Sequence, residues 1–97
     1  MKDSPYVNND IYNKLKLLNF GYHIPTYTEV FDWVYKNHNL YISIEPMNIN
    51  DTILFSKYTT NLDTMDIILG SKDIGYDDYK LTRDSIYNET LELLLTK

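Results

Sequence analysis

The sequence predicts an α+β fold: two N-terminal helices, a three-stranded antiparallel meander and a C-terminal helix. Three observations carry that expectation. Apolar residues recur at three- and four-residue spacing toward both ends of the chain, they alternate in its middle, and the alternating segments follow one another with turn residues between them. Strands in succession with helices on either side argue for an antiparallel sheet covered on one face. A length of 97 residues suits one domain, so residues 1–97 read as a single small α+β domain, with residues 1–7 as a flexible tail bent at Pro5.

The first helix is read over Asn8 to Phe20. Asn8, Asn9 or Asp10 can cap it by accepting from its first free N–H groups. Ile11, Leu15 and Leu18 form one apolar stripe, and Gly21 is the expected left-handed stop. The second helix has the clearest start. Pro25 biases Ile24 to an extended conformation, and Thr26 followed by Glu29 matches the capping-box spacing. Tyr27, Val30, Phe31, Val34 and Tyr35 then form a core-facing stripe, and Asn37 to Asn39 tolerate the backbone that ends it. Leu40, Ile42 and Ile44 alternate with Tyr41, Ser43 and Glu45 in a first strand that Pro46 ends or edges. Thr52 to Tyr58 reads as a second strand with Ile53 and Phe55 on the covered face. Thr64 to Leu69 reads as a third, with Met65, Ile67 and Leu69 inward. Gly70 and Gly75 bracket an expected loop. Tyr87, Leu91, Leu94 and Leu95 line one face of the last helix, with Ile86, Thr90 and Leu93 beside them.

Composition excludes several chemistries. The absence of cysteine removes disulfides, thiolate nucleophiles, iron–sulfur clusters and thiolate zinc sites, and fits a reducing compartment. No run approaches the ~18 to 20 apolar residues of a membrane helix, and the polar start has no apolar signal core. A cytoplasmic location, in a host cell for a phage-encoded chain, is expected. Fourteen acidic side chains against nine basic ones leave a net charge of −5, and Arg83 is the single arginine. A chain without a basic footprint gains little from counterion release on DNA or RNA, so neither direct nucleic-acid nor membrane binding is expected. Ten tyrosines are the conspicuous surplus. Tyr, Asn, Ile and Lys share AT-rich codons, and tyrosine also suits a binding face because it joins apolar area to a polar tip.

The stretch from Gly21 to Trp33 resembles small uncharacterised proteins of gut bacteria and their phages. The matching residues are Gly21, Pro25, Thr26, Glu29, Val30, Phe31 and Trp33, a Pro-Thr-x-x-Glu-Val-Phe-x-Trp helix, together with the terminal "NETLELLL". No known function is attached to that group. The resemblance implies a phage or mobile-element origin and leaves the chemistry to the residues.

Those residues offer little for catalysis. His23 and His38 lie at opposite ends of the second helix, roughly 20 Å apart at about 1.5 Å per residue, and cannot share a metal within one chain. The aspartates from Asp63 to Asp84 lack an EF-hand series and are interleaved with Lys72, Lys80 and Arg83, the pattern of a solvated surface. No serine sits in a Gly-x-Ser-x-Gly context. No catalytic residue, metal ligand or cofactor is therefore expected. Two surfaces remain as candidates. The start of the second helix presents N–H groups and a positive dipole end, with Tyr22, His23, Thr26, Tyr27 and Thr28 around it as a ligand site. The sheet face away from the helices carries Tyr41, Ser43, Leu54 and Tyr58, is rather apolar for open water, and suits a protein partner or a second copy in a homo-oligomer. The expected function is non-enzymatic protein binding with a host or defence component as target. Capture of a nucleotide signal at Thr26 is the alternative, and metal-dependent hydrolysis at the aspartates a second one.

Overall fold

The computed structural model describes residues 4–21 and 23–96, with the backbone alone described over 71–76. Its elements run α1 (Asn9–Leu17), α2 (Tyr27–His38), β1 (Leu40–Ile49), β2 (Thr52–Asn61), β3 (Asp66–Tyr76) and α3 (Tyr79–Leu95). This is the expected α+β order, and the three strands form one antiparallel sheet in the order β1-β2-β3.

Asparagines punctuate the helices. Asn8 caps α1 by accepting from the Ile11 amide. The helix ends in a Schellman arrangement, in which the Phe20 amide donates to the Leu15 carbonyl and the Asn19 amide to that of Lys16. The left-handed residue there is Asn19, at φ 62°, and not Gly21 as the sequence suggests. An asparagine tolerates that conformation, and its place directly after the last turn decides the matter. Asn39, at φ 55°, ends α2 in the same way.

Residues 5–7 are not a free tail. Val7 is buried, its amide donates to the Pro25 carbonyl, and the Pro5 carbonyl accepts from the Tyr27 amide. The short bridge between Tyr6 and Thr26 holds this segment across the start of α2.

The core lies between β1 and the helices α2 and α3, with α1 closing it through α3. Ile11 and Leu15 of α1, Val30 and Val34 of α2, Leu40 and Ile42 of β1, and Ile86, Leu91 and Leu94 of α3 form one buried cluster. Each helix contributes most of the stripe that its periodicity predicts, but Tyr35, expected to face the core, is 45% exposed on α2, and Leu95 lies outside the buried face of α3. Lys14 adds a polar tie between α1 and α3, donating to Asn88 at 3.0 Å and lying 3.7 Å from the Glu92 carboxylate.

Where α3 crosses the sheet the contact is polar. Lys57 donates to Ser85 Oγ at 2.8 Å and pairs with Glu89 at 2.7 Å. The Thr59 and Thr90 hydroxyls meet at 2.8 Å, both residues fully buried. Since Thr90 Oγ1 gives its proton to the Ile86 carbonyl, Thr59 is the donor in that pair.

The sheet departs from the sequence reading in three ways. β1 continues through Pro46, which pairs with Phe55 on an edge strand where a missing N–H can be tolerated. The hairpin then closes in two residues, Asn50 and Asp51, both at positive φ as a type I′ turn requires. β3 runs to Tyr76, where a loop is expected from the two glycines and the polar residues. Gly70 makes that possible: at φ 76°, an added Cβ would lie 2.2 Å from the Lys57 carbonyl oxygen.

The inward assignments also change. Ile53 is exposed because the hairpin projects past the helices, whereas Phe55 packs edge-on against Tyr79 with centroids 5.4 Å apart. Met65 is a left-handed turn residue, 71% exposed. A register shift between Thr59 and Thr60 puts Leu69 on the core side and pairs Ile67 with Thr60 on the other.

Candidate functional site

In a direct antiparallel pair both side chains lie on one face. The partners Ile42–Thr59, Ile44–Lys57 and Pro46–Phe55 therefore face the helices, and Tyr41–Thr60, Ser43–Tyr58 and Glu45–Ser56 face away. α2 and α3 pack on the first side, with α1 on α3. The second side carries an open groove of about 700 Å³ whose lining includes Tyr41, Ser43, Tyr58, Thr60, Met65 and Ile67.

Tyr41 stands at the β1 edge, its ring 5.1 Å from that of Phe31 and 6.4 Å from that of Tyr35, so α2 buttresses one wall. Tyr58 is buried in the groove and donates to Glu45 Oε1 at 2.6 Å. Of the residues predicted for this face, Tyr41, Ser43 and Tyr58 meet in one groove. Leu54 lies on the same face toward the hairpin end, opposite Met47 and outside the groove. Leu62, Met65 and Ile67 belong to the groove and were hidden from sequence reasoning by the turn and register shift. β1 and β2 place no Lys or Arg on this face. Glu45 is its acid, and Asp63 is exposed in the turn beside Leu62.

The start of α2 is largely occupied by its own capping. Thr26 Oγ1 accepts from the Glu29 amide, and the Glu29 carboxylate accepts from the Thr26 amide and hydroxyl. The Pro5 carbonyl takes the Tyr27 amide. Accepting from the Thr26 backbone holds the Glu29 carboxyl below its ordinary value, with help from His23. His23 turns outward to that carboxylate, 3.4 Å away and exposed, so it does not share a pocket with the threonines. Tyr22 lies outside the described residues.

Thr26, Tyr27 and Thr28 do line a second cavity, of about 450 Å³, together with Phe31, Tyr79, Arg83 and Tyr87. Arg83 is 8% exposed, which overturns its reading as part of a solvated surface. Its guanidinium carbon sits 3.6 Å from the centre of the Tyr27 ring, and its Nε lies 3.5 Å from Asp84. Tyr27 Oη donates to the same Asp84 carboxylate. Burial, then the hydrogen bond to Asp84 and its charge, push the Tyr27 hydroxyl up to about 12. Burial also raises that of Tyr87, whose ring meets Tyr27 edge-on at 5.2 Å.

The aspartates are spread over separate tasks. Asp78 caps α3 by accepting from Leu81, Asp63 accepts from Asn39, and Asp84 serves Tyr27 and Arg83. The Asp73 side chain lies outside the described residues. Among the described residues no three His, Asp or Glu side chains come together as a metal site. His38 packs its ring on Trp33 at 4.9 Å. Lys57 donates to both Ser85 Oγ and the Glu89 carboxylate. Among the described residues no helix is long and apolar enough to cross a membrane. Comparison with protein-family models, curated proteins and solved structures finds no match.

Proposed function

We propose that the protein is a non-enzymatic binding protein that holds a partner protein against the open face of its sheet. The observation that carries this reading is the groove itself: about 700 Å³, formed of tyrosine, serine, threonine and apolar side chains on the face that no helix covers. Tyrosine on a rigid strand supplies contact area with few torsions to immobilise.

The strand edges favour contact through the face over pairing at the rim. Pro46 interrupts the donors of β1, and the register shifts in the β2–β3 ladder twist the other side. Charge selects the partner's chemistry. An acidic chain with Glu45 on the face, Asp63 beside it, and no cation on β1 or β2 there suits a basic rim around an apolar centre. A second copy would bring two like-charged surfaces together, so a homodimer has less support. The resemblance in the α2 helix supports a phage or mobile-element origin, and with it a host or defence protein in the cytoplasm as the target.

The test compares three tagged proteins in capture from host lysate: the native chain, Ile67→Arg with Ser43→Arg on the face, and Leu17→Arg on exposed α1. One protein retained by the native and Leu17→Arg chains and lost by the face variant supports the proposal. Equal retention by all three contradicts it. Light scattering should give a monomer; a dimer abolished by the face variant would assign the groove to a second copy.

A further inference from the structure

The open groove on the sheet differs from one end to the other. Beside the β2–β3 turn its side chains are Leu62, Met65 and Ile67. The Ile67–Thr60 and Thr60–Tyr41 pairs place that end level with Tyr41. At the other end stands Glu45, opposite Ser56 and the one charged side chain among the described lining residues. The Tyr41 and Glu45 rows lie roughly 13 Å apart, at ~3.3 Å per residue of strand. Between the two ends the lining is hydroxylic, from Ser43 and Tyr58. Gly70, which pairs with Tyr58, adds no side chain there.

We infer that the partner protein seats an arginine side chain on Glu45 and an apolar side chain against Leu62, Met65 and Ile67. This rests on the reading of the open face as the partner's place, and it specifies the chemistry that the partner brings. Tyr58 is buried and its hydroxyl donates to Glu45 Oε1 at 2.6 Å, so the carboxylate is held in position while Glu45 stays exposed. A carboxylate offers about four acceptor positions, of which Tyr58 uses one. No Lys or Arg of β1 or β2 reaches this face to neutralise it, and Tyr58 is its one side-chain partner among the described residues. The net charge of −5 adds to the attraction for a cation. Arginine fits better than lysine because its planar fork addresses both carboxylate oxygens. Its stem also covers apolar surface. Asp63 lies outside the groove lining and accepts from Asn39, so Glu45 is the acid that the groove presents. With an acid at one end and apolar side chains at the other, the groove also sets the direction in which the partner's segment lies.

The experiment titrates the isotope-labelled full chain with the peptide acetyl-Leu-Ala-Ala-Ala-Arg-amide and follows the amide shifts by two-dimensional NMR. When extended, this peptide carries its Leu and Arg side chains on one side, at the separation of the two ends of the groove. An analogue with citrulline in place of Arg keeps the shape and removes the charge. Acetyl-Leu-Arg-amide keeps the charge but cannot span the groove. The first peptide should shift the amides of Ser43, Glu45, Thr60 and Ile67 saturably, with the other two about tenfold weaker. Glu45→Gln should abolish the preference for Arg over citrulline and leave citrulline binding as it was. Position 45 is exposed, and the amide spectrum of the variant checks that the fold is intact. Equal affinity for the Arg and citrulline peptides overturns the inference, as does an Arg preference that persists in Glu45→Gln. Shifts centred outside the groove, or no saturable shift at all, overturn it too. The sheet-face reading survives any of these results if the Ile67→Arg with Ser43→Arg chain still loses its captured protein, so the two fail separately.

Discussion

Replacing Thr90 by valine should destabilise the protein more than the same change at Thr59, although the two hydroxyls form one hydrogen bond. The reason is the direction of that bond. Thr90 Oγ1 donates to the Ile86 carbonyl at 2.7 Å, which leaves Thr59 as donor across the sheet–helix contact at 2.8 Å. Thr59→Val removes a neutral hydrogen bond and orphans no donor, at a cost of about 0.5–1.5 kcal/mol. Thr90→Val leaves the Thr59 hydroxyl buried without its acceptor, which costs about 1–3 kcal/mol. Thr and Val differ little in intrinsic helix preference, so the exchange on α3 adds little of its own. The double valine replaces both partners by groups of similar shape and should fall well below the sum of the singles. Urea unfolding followed by circular dichroism resolves this. With m near ~1 kcal/mol/M or somewhat above for a small domain, 1 kcal/mol moves the midpoint by close to 1 M. Equal or reversed costs for the two single variants, or strict additivity in the double, would refute the assigned direction.

Three further outcomes follow from the geometry. Gly70→Ala should cost more than about 3 kcal/mol, beyond ordinary single substitutions, because a positive φ combines with a Cβ 2.2 Å from the Lys57 carbonyl; near-native stability in urea would contradict the β2–β3 register. Thr26→Ala should cost about 1 kcal/mol as loss of a cap. The lowered Glu29 carboxyl means that its contribution is present above the ordinary value of 4.5 and is lost as pH falls through the lower folded value, so the acid slope of stability should shrink in Glu29→Gln and largely persist in Thr26→Ala, which keeps the backbone donor. Tyr27 has the opposite sign: its hydroxyl is held neutral in the folded chain up to about 12, against 10.0 unfolded, so stability should fall as pH rises across that interval, and Tyr27→Phe should remove that part of the slope.

The helices were legible because their signals are local. Thr26 and Glu29 sit three residues apart and cap as their spacing predicts, and the stripes at Ile11–Leu15 and Val30–Val34 point into the core. The alternation of Leu40 and Ile42 likewise places β1. What escaped depends on partners distant in sequence. β3 continues past Gly70 because the β2 backbone accepts a residue without a Cβ there, which no local pattern encodes. Ile67 changed face through a register shift, a property of the pair of strands rather than of either one. The candidate sites divide in the same way. Tyr41, Ser43 and Tyr58 were readable from period-two alternation on β1 and β2. Arg83, flanked by acids and lysines, looks like surface until Tyr27, which shares Asp84 with it from 57 residues away, is placed against its guanidinium.

Site-specific photo-crosslinking in host cells addresses the open sheet face most directly. A benzophenone side chain would be placed at Thr60 or Ile67 in the groove and, separately, at Leu17 on α1 and Ile53 on the projecting hairpin. One and the same protein should be trapped from both groove positions, with no such adduct from the other two. Adducts of equal yield from all four positions, or from Leu17 alone, would contradict the assignment of this face as the place where the partner sits.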